Sequence, residues 1–250
     1  PGHGTIAGDL MDNIKEELVL KFIDVLEIAK PENIDDYRKI VFPTIKAELP
    51  IILSSDNHNI KEFKDNRFIW IKADPTFEGL RQIINEPGER VFIGDEPEII
   101  KRVKENKTKY IKSISINKKK ESDLEEIWFD ENPVTELNPG LVAVIGNKGS
   151  GKSAIAETLG LLGNTPRSEH FLFLNDKKFK QIKNNKAKHF IAQLIWESES
   201  KVEKELSSSV EINSIEIIKC IPQNYLERIC VDELEEIFFT IELKGVIFSY

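Results

Sequence analysis

At 250 residues the chain is long enough for one large domain or two smaller ones. Its 43 acidic residues outweigh 35 basic ones, and the net charge of −8 argues against a nucleic-acid surface spread over the whole chain. No apolar run approaches the about twenty residues of a bilayer span, so no membrane-spanning helix is expected, and no signal peptide is visible. The two cysteines, Cys220 and Cys230, have neither metal nor redox spacing, which makes a reducing cytoplasm the expected compartment. The chain opens Pro1-Gly2-His3-Gly4 without an initiator Met, and the expectation is a piece of something longer.

Ile14, Leu18, Phe22, Val25, Leu26 and Ala29 recur at three-and-four spacing and predict a helix over 12–29, capped by Asp9 or Asp12 and stopped by Pro31. A second helix is expected over 32–41, ended by Pro43. Residues 50–53 read as a short buried strand, 68–71 as another and 90–93 as a third. Between the last two, 76–85 reads as a helix with Asp74 or Thr76 as its cap and Glu78 in its first turn. This is an α/β alternation. Residues 95–108 then gather charges and Pro97, and they read as a linker between domains at 1–94 and 109–250. Residues 110–116 alternate as a strand does, 118–121 read as a turn, and 124–129 as the hairpin partner.

The apolar run 141–145 predicts a strand that feeds Gly146, Asn147, Lys148, Gly149, Ser150, Gly151, Lys152 and Ser153. This is the pattern G-x-x-x-x-G-K-[ST], with a helix expected over 152–162. Glycines let backbone N–H groups wrap a phosphate, and the helix offers its positive N-terminus to the same anion. Lys152 is the residue expected to reach the β- and γ-phosphates, and Ser153 the one expected to place its hydroxyl on Mg²⁺. A nucleoside triphosphate, ATP with Mg²⁺, is the ligand this names.

Beyond the loop, 171–174, 190–196 and 212–221 read as strands, and 225–239 as a helix. The chain closes in the apolar residues 246–250. Lys177, Lys178, Lys180, Lys183, Lys186 and Lys188 cluster around Phe179. They read as a phosphate-contacting patch or as a solvated face, with the second favoured.

Two segments extend the loop into a family pattern. The first is Ile218-Lys-Cys-Ile-Pro-Gln-Asn-Tyr-Leu-Glu-Arg228, about seventy residues past Lys152. It resembles the Q-loop of ABC and SMC-like ATPases. The second runs from Phe68 through Asp74-Pro-Thr-Phe-Glu-Gly79 to Pro87, followed by Arg90-Val-Phe-Ile-Gly94. It resembles the join in proteins that fuse a PHP phosphoesterase domain to an AAA-like, SMC-type ATPase, the TrlF-type family. The resemblance covers residues 50–250. It implies an α/β fold in which the truncated end of a PHP-type β/α barrel precedes the N-terminal half of an ABC/SMC-like ATPase head.

The resemblance also implies roles. Gln223 would contact Mg²⁺ and the attacking water, since a neutral amide accepts and donates at once. Asp56 and His58 match the Asp-x-His pair that closes a PHP metal site, where divalent metals activate water against a phosphodiester. The earlier PHP motifs, including an N-terminal His-x-His, are absent, and His3 stands alone between glycines. An Asx-type turn through Asp56 or Asn57 is the alternative reading. The implied whole is an ATP hydrolase that dimerises through its heads and governs a nuclease or phosphoesterase acting on nucleic acid, in DNA repair or defence. The alternative is a nucleotide-switched binding module with little turnover. Ile229-Cys-Val-Asp-Glu233 superficially matches the Asp-Glu strand such an ATPase needs, but its apolar run is short and lies in a helical pattern. The Ser/Gly signature loop is absent. A kinase of this loop type would carry a lid with arginines, and 163–210 holds only Arg167.

Overall fold

The computed structural model describes residues 21–54, 59, 61, 68–129, 134–210 and 213–231, with side chains as far as Arg228. The fold is mixed α/β and divides into two compact units, Pro1–Arg102 and Val103–Tyr250. Among the described residues no helix is long and apolar enough to cross a membrane.

In the first unit, β1 (Leu26–Ile28) pairs in parallel with β2 (Ile51–Leu53), Leu26 opposite Ile51. The expected helix over 12–29 does not extend here. Leu26 and Ile28 are buried with Glu27 exposed between them, the period of two that a strand buries. Residues 12–20 lie outside the described residues. The second helix is longer than expected. It runs from a 3₁₀ turn at Pro31–Asn33 through a π segment, Tyr37–Val41, to Phe42–Ile45. Phe42 N–H donates to Tyr37 C=O, five residues back. Pro43, which has no N–H to give, sits in the turn after this π segment instead of stopping the chain. Val41, Ile45 and Leu49 close the core over Leu26, Ile28 and Ile51.

The remaining strands of this unit, β3 (Ile69–Ile71) and β4 (Val91–Ile93), form an antiparallel pair. Between them lie α1 (Phe77–Gln82) and the single turn α2 (Pro87–Arg90). Thr76 caps α1, its hydroxyl accepting from Gly79 N–H at 3.0 Å. A side chain at Gly79 would put its Cβ 2.2 Å from the Asp74 carbonyl oxygen, so the stretch Asp74 to Gly79 folds tightly only with glycine there. Residues 95–108 are not an open linker: α3 (Glu98–Glu105) and a 3₁₀ turn at Lys107–Lys109 occupy them.

The second unit is built on a four-stranded antiparallel sheet. Its strands are β5 (Ile111–Lys118), β6 (Val134–Glu136), β7 (Phe190–Trp196) and β8 (Lys201–Glu205), in the order β6-β5-β7-β8. Strand β7 buries Phe190, Ala192, Leu194 and Trp196 in strict alternation. The helix α4 (Lys152–Leu162) closes this core with Leu161 and Leu162, and Phe171, Leu174 and Phe179 pack into the same cluster.

Four strand expectations in this unit are corrected. Residues 124–129 pair with nothing; β6 and β7 flank β5 instead. Residues 171–174 form no ladder because the N–H groups of Leu172, Phe173 and Leu174 donate to the carboxylate of Glu157. Residues 213–221 are irregular, with Ile217 and Ile218 N–H both turned to the Gly163 carbonyl. Residues 141–145 carry no strand pairing, and Leu141 and Ile145 are 96% and 87% exposed. Apolar residues become a strand only when a neighbour meets their N–H and C=O groups, and no described strand does so here.

Candidate phosphate-binding site

The loop 146–153 follows the unpaired segment 141–145 and enters α4. Gly149 and Gly151 hold φ near +89° and +90°, a region that side-chain-bearing residues rarely adopt, so the glycines of the motif are required by the backbone path. Gly151 caps α4 with no side-chain acceptor, and the first helical bond is Ile155 N–H to Gly151 C=O at 3.1 Å. The N–H groups at the start of the helix therefore have no intrahelical partner and stand where an anion would take them. Lys152 folds back over the loop, its ammonium donating to the carbonyls of Gly146 (2.7 Å) and Asn147 (2.8 Å). Ser153 is exposed beside it.

A cavity of about 780 Å³ opens from the loop. Its size suits a nucleotide-scale ligand. The loop lines it from Lys148 to Ile155, together with Ile114 and Ile116 of β5. Trp128, Phe129 and Phe173 give the cavity an aromatic wall. The wall is packed from behind. Phe173 stacks on Phe179 at 4.5 Å, Trp128 meets Phe179 edge-on at 5.0 Å, and Phe129 meets Phe190 at 5.2 Å. Trp128 is further held by its indole N–H donating to Glu126 at 2.7 Å and by the Lys186 ammonium 4.7 Å from its ring centre. The Glu126 carboxyl lies below the ordinary carboxylate range, first through its bond from Lys186 and then through that from Trp128.

Lys148, Lys152 and Lys178 line this cavity, and no carboxylate does among the described residues. In a chain with net charge −8 this concentrates positive charge where the motif places a phosphate. The donors present, the uncapped helix start and the size of the cavity all fit a polyphosphate ligand. Ser153 is the one hydroxyl at the Mg²⁺ position of the motif, and Mg²⁺ in such sites completes its shell with water and phosphate oxygens.

Gln223, the other expected residue of this site, does not line the cavity. Gln223 is the first residue of α5 (Gln223–Val231), exposed, with its amide donating to Glu227 at 2.7 Å. Its helix is fixed elsewhere: Tyr225 packs against the His170 ring at 5.0 Å and under the Arg167 guanidinium at 5.3 Å. Residues 229–231 lie in this helix, in keeping with setting aside 229–233 as an Asp-Glu strand. Asp56 and His58 lie outside the described residues.

The lysine cluster divides. Lys180 is half-buried and donates to Ser208 C=O at 2.6 Å, and burial lowers its pKa. Lys186 pairs with Glu126 at 2.5 Å. Lys177, Lys178, Lys183 and Lys188 are exposed, while Phe179 is a core residue and not part of a surface.

The sequence reading missed the aromatic wall and Glu157. The wall comes from segments read as strands, and nothing local marks it as lining a site. Glu157 did leave a signal: it is an acid among the inward positions Ala154, Thr158 and Leu161 of α4. No protein-family model, no curated protein and no solved structure matches the chain.

Proposed function

We propose that the chain binds a nucleoside triphosphate with Mg²⁺ and is the nucleotide-binding part of an ABC/SMC-like ATPase. The observation that carries this is a glycine-shaped loop at an uncapped helix start, opening into a cavity lined by Lys148, Lys152 and Lys178 and walled by aromatic rings. Loop N–H groups would hold the phosphates. Lys152 would leave the loop carbonyls for the β- and γ-phosphate oxygens, and the Ser153 hydroxyl would hold Mg²⁺. The rings of Trp128 and Phe173 would take the base by stacking.

The resemblance of 68–94 and 218–228 to the TrlF-type family extends the reading. In the intact protein the nucleotide site would govern a PHP-type phosphoesterase acting on nucleic acid, with ATP-bound heads paired as a homodimer. Gln223 would need release from Glu227 to act on water or Mg²⁺, and Asp56 and His58 would belong to the phosphoesterase part.

A second reading has its own support. No carboxylate lines the cavity among the described residues, so no general base stands near the phosphate end. A nucleotide-switched module with little turnover is the reading this lining supports.

Calorimetric titration of MgATP into the chain and into Lys152→Ala tests the first reading. The chain should bind, and the variant should lose at least about a hundredfold in affinity with its melting curve unchanged. Equal binding by the two would refute the assignment of the loop. Phosphate release by the intact protein, which would supply the Asp-Glu strand and the signature loop, separates an ATPase from a switch.

A further inference from the structure

We infer that Glu157 is a positioning residue for nucleotide binding: its carboxylate fixes the 172–174 turn as the wall against which the base of the nucleotide rests. The inference rests on the nucleotide reading above. Glu157 is 5% exposed. One carboxylate oxygen accepts from Leu172 N–H at 2.7 Å and Phe173 N–H at 3.1 Å; the other accepts from Phe173 N–H and Leu174 N–H, both at 2.8 Å. Three consecutive backbone donors thus converge on one side chain, as they do around a bound anion. A buried carboxylate persists only when so satisfied, and these bonds to a charged acceptor are individually strong.

The placement of Glu157 gives this clamp a function. It stands on α4, five residues past Lys152, so one rigid helix carries both the phosphate end of the cavity and the anchor of its aromatic wall. Leu172 and Phe173 line the cavity directly. The turn has no strand pairing to hold it, and its N–H groups go to Glu157 instead of to a ladder. The loop that grips phosphate has separate supports, since Lys152 and Ser150 bond to carbonyls within 146–147. Removing the carboxylate should therefore loosen the wall and leave the phosphate loop intact.

The test compares two ligands that share the phosphate chain and differ in the base and sugar. MgATP and magnesium tripolyphosphate are titrated calorimetrically into the full chain, Glu157→Gln and Phe173→Ala. In Glu157→Gln the affinity for MgATP should fall about tenfold while that for tripolyphosphate stays within about twofold. Phe173→Ala, which trims the wall itself, should show the same split. Loss of both ligands together, or of neither, in a folded Glu157→Gln would overturn the inference, as would equal affinity of the unaltered chain for the two ligands. If the unaltered chain binds neither ligand, the nucleotide reading itself fails and this inference falls with it. Should Glu157→Gln not melt cooperatively, Glu157→Asp replaces it: the carboxylate is retained one methylene short, and the same split is expected.

Discussion

The chemistry of single residues here is set by what surrounds them. Lys152 is held by two carbonyl oxygens of its own loop, so an incoming phosphate must offer it a better acceptor, which anionic oxygens do. Cys220 shows the opposite situation. Burial pushes its thiol up to about 11, and the nearby Glu157 and Glu216 add to the shift while Arg167 opposes it. The thiol therefore keeps its proton in the folded chain through a range where the unfolded chain loses it. The contribution of this group to stability is full below pH 9, the ordinary value, and declines as pH rises from there towards 11. At pH 8.5 iodoacetamide should label Cys220 more than about tenfold more slowly in the folded chain than in urea, read by peptide mass mapping so that Cys230 is counted separately. Equal rates would show the thiol to be neither buried nor shifted.

Elements were legible in the sequence where local pattern and tertiary surroundings agree. The alternation in 190–196 is a strand whose inward side chains fill the core, and the segment folds as read. Asp74 or Thr76 was expected to cap the helix over 76–85, and of the two it is the Thr76 hydroxyl that does so. The turn at 146–151 was legible because its glycines fall where φ is positive, a demand of the backbone path and not of packing. Residues 171–174 were not legible, since their fate depends on an acid fourteen or more positions away that takes their N–H groups. Nor could 141–145 be read correctly, because periodicity reports apolarity and not the presence of a neighbouring strand. The tight turn before α1 provides a test at this scale. Gly79→Ala forces a Cβ against the Asp74 backbone, whereas Gly88→Ala meets only the flexible end of Glu48 at 3.1 Å. Chemical denaturation should show Gly79→Ala destabilised by about 1–3 kcal/mol and Gly88→Ala by less than about 1 kcal/mol. Similar losses for both would mean that the turn relaxes and that glycine is not required there.

At the scale of the molecule, the proposed nucleotide site and the segment 68–94 fall in different units. Every residue lining the phosphate-loop cavity lies between Ile114 and Lys178, inside the second unit. The core that supports it, from Ile114 on β5 to Leu206 after β8, belongs to the same unit. Among the described residues, Glu157, Phe173 and the loop therefore belong to one unit with its own core. A unit with its own core and its own site should keep both when produced alone. The fragment Val103–Tyr250 should melt in one cooperative transition and bind MgATP within about threefold of the full chain by calorimetry. A fragment that melts cooperatively but has lost the nucleotide would place part of the site in the first unit. A fragment that does not fold, beside a full chain that does, would show that the two units share stability. The first result would show that the second unit by itself carries all that MgATP binding requires.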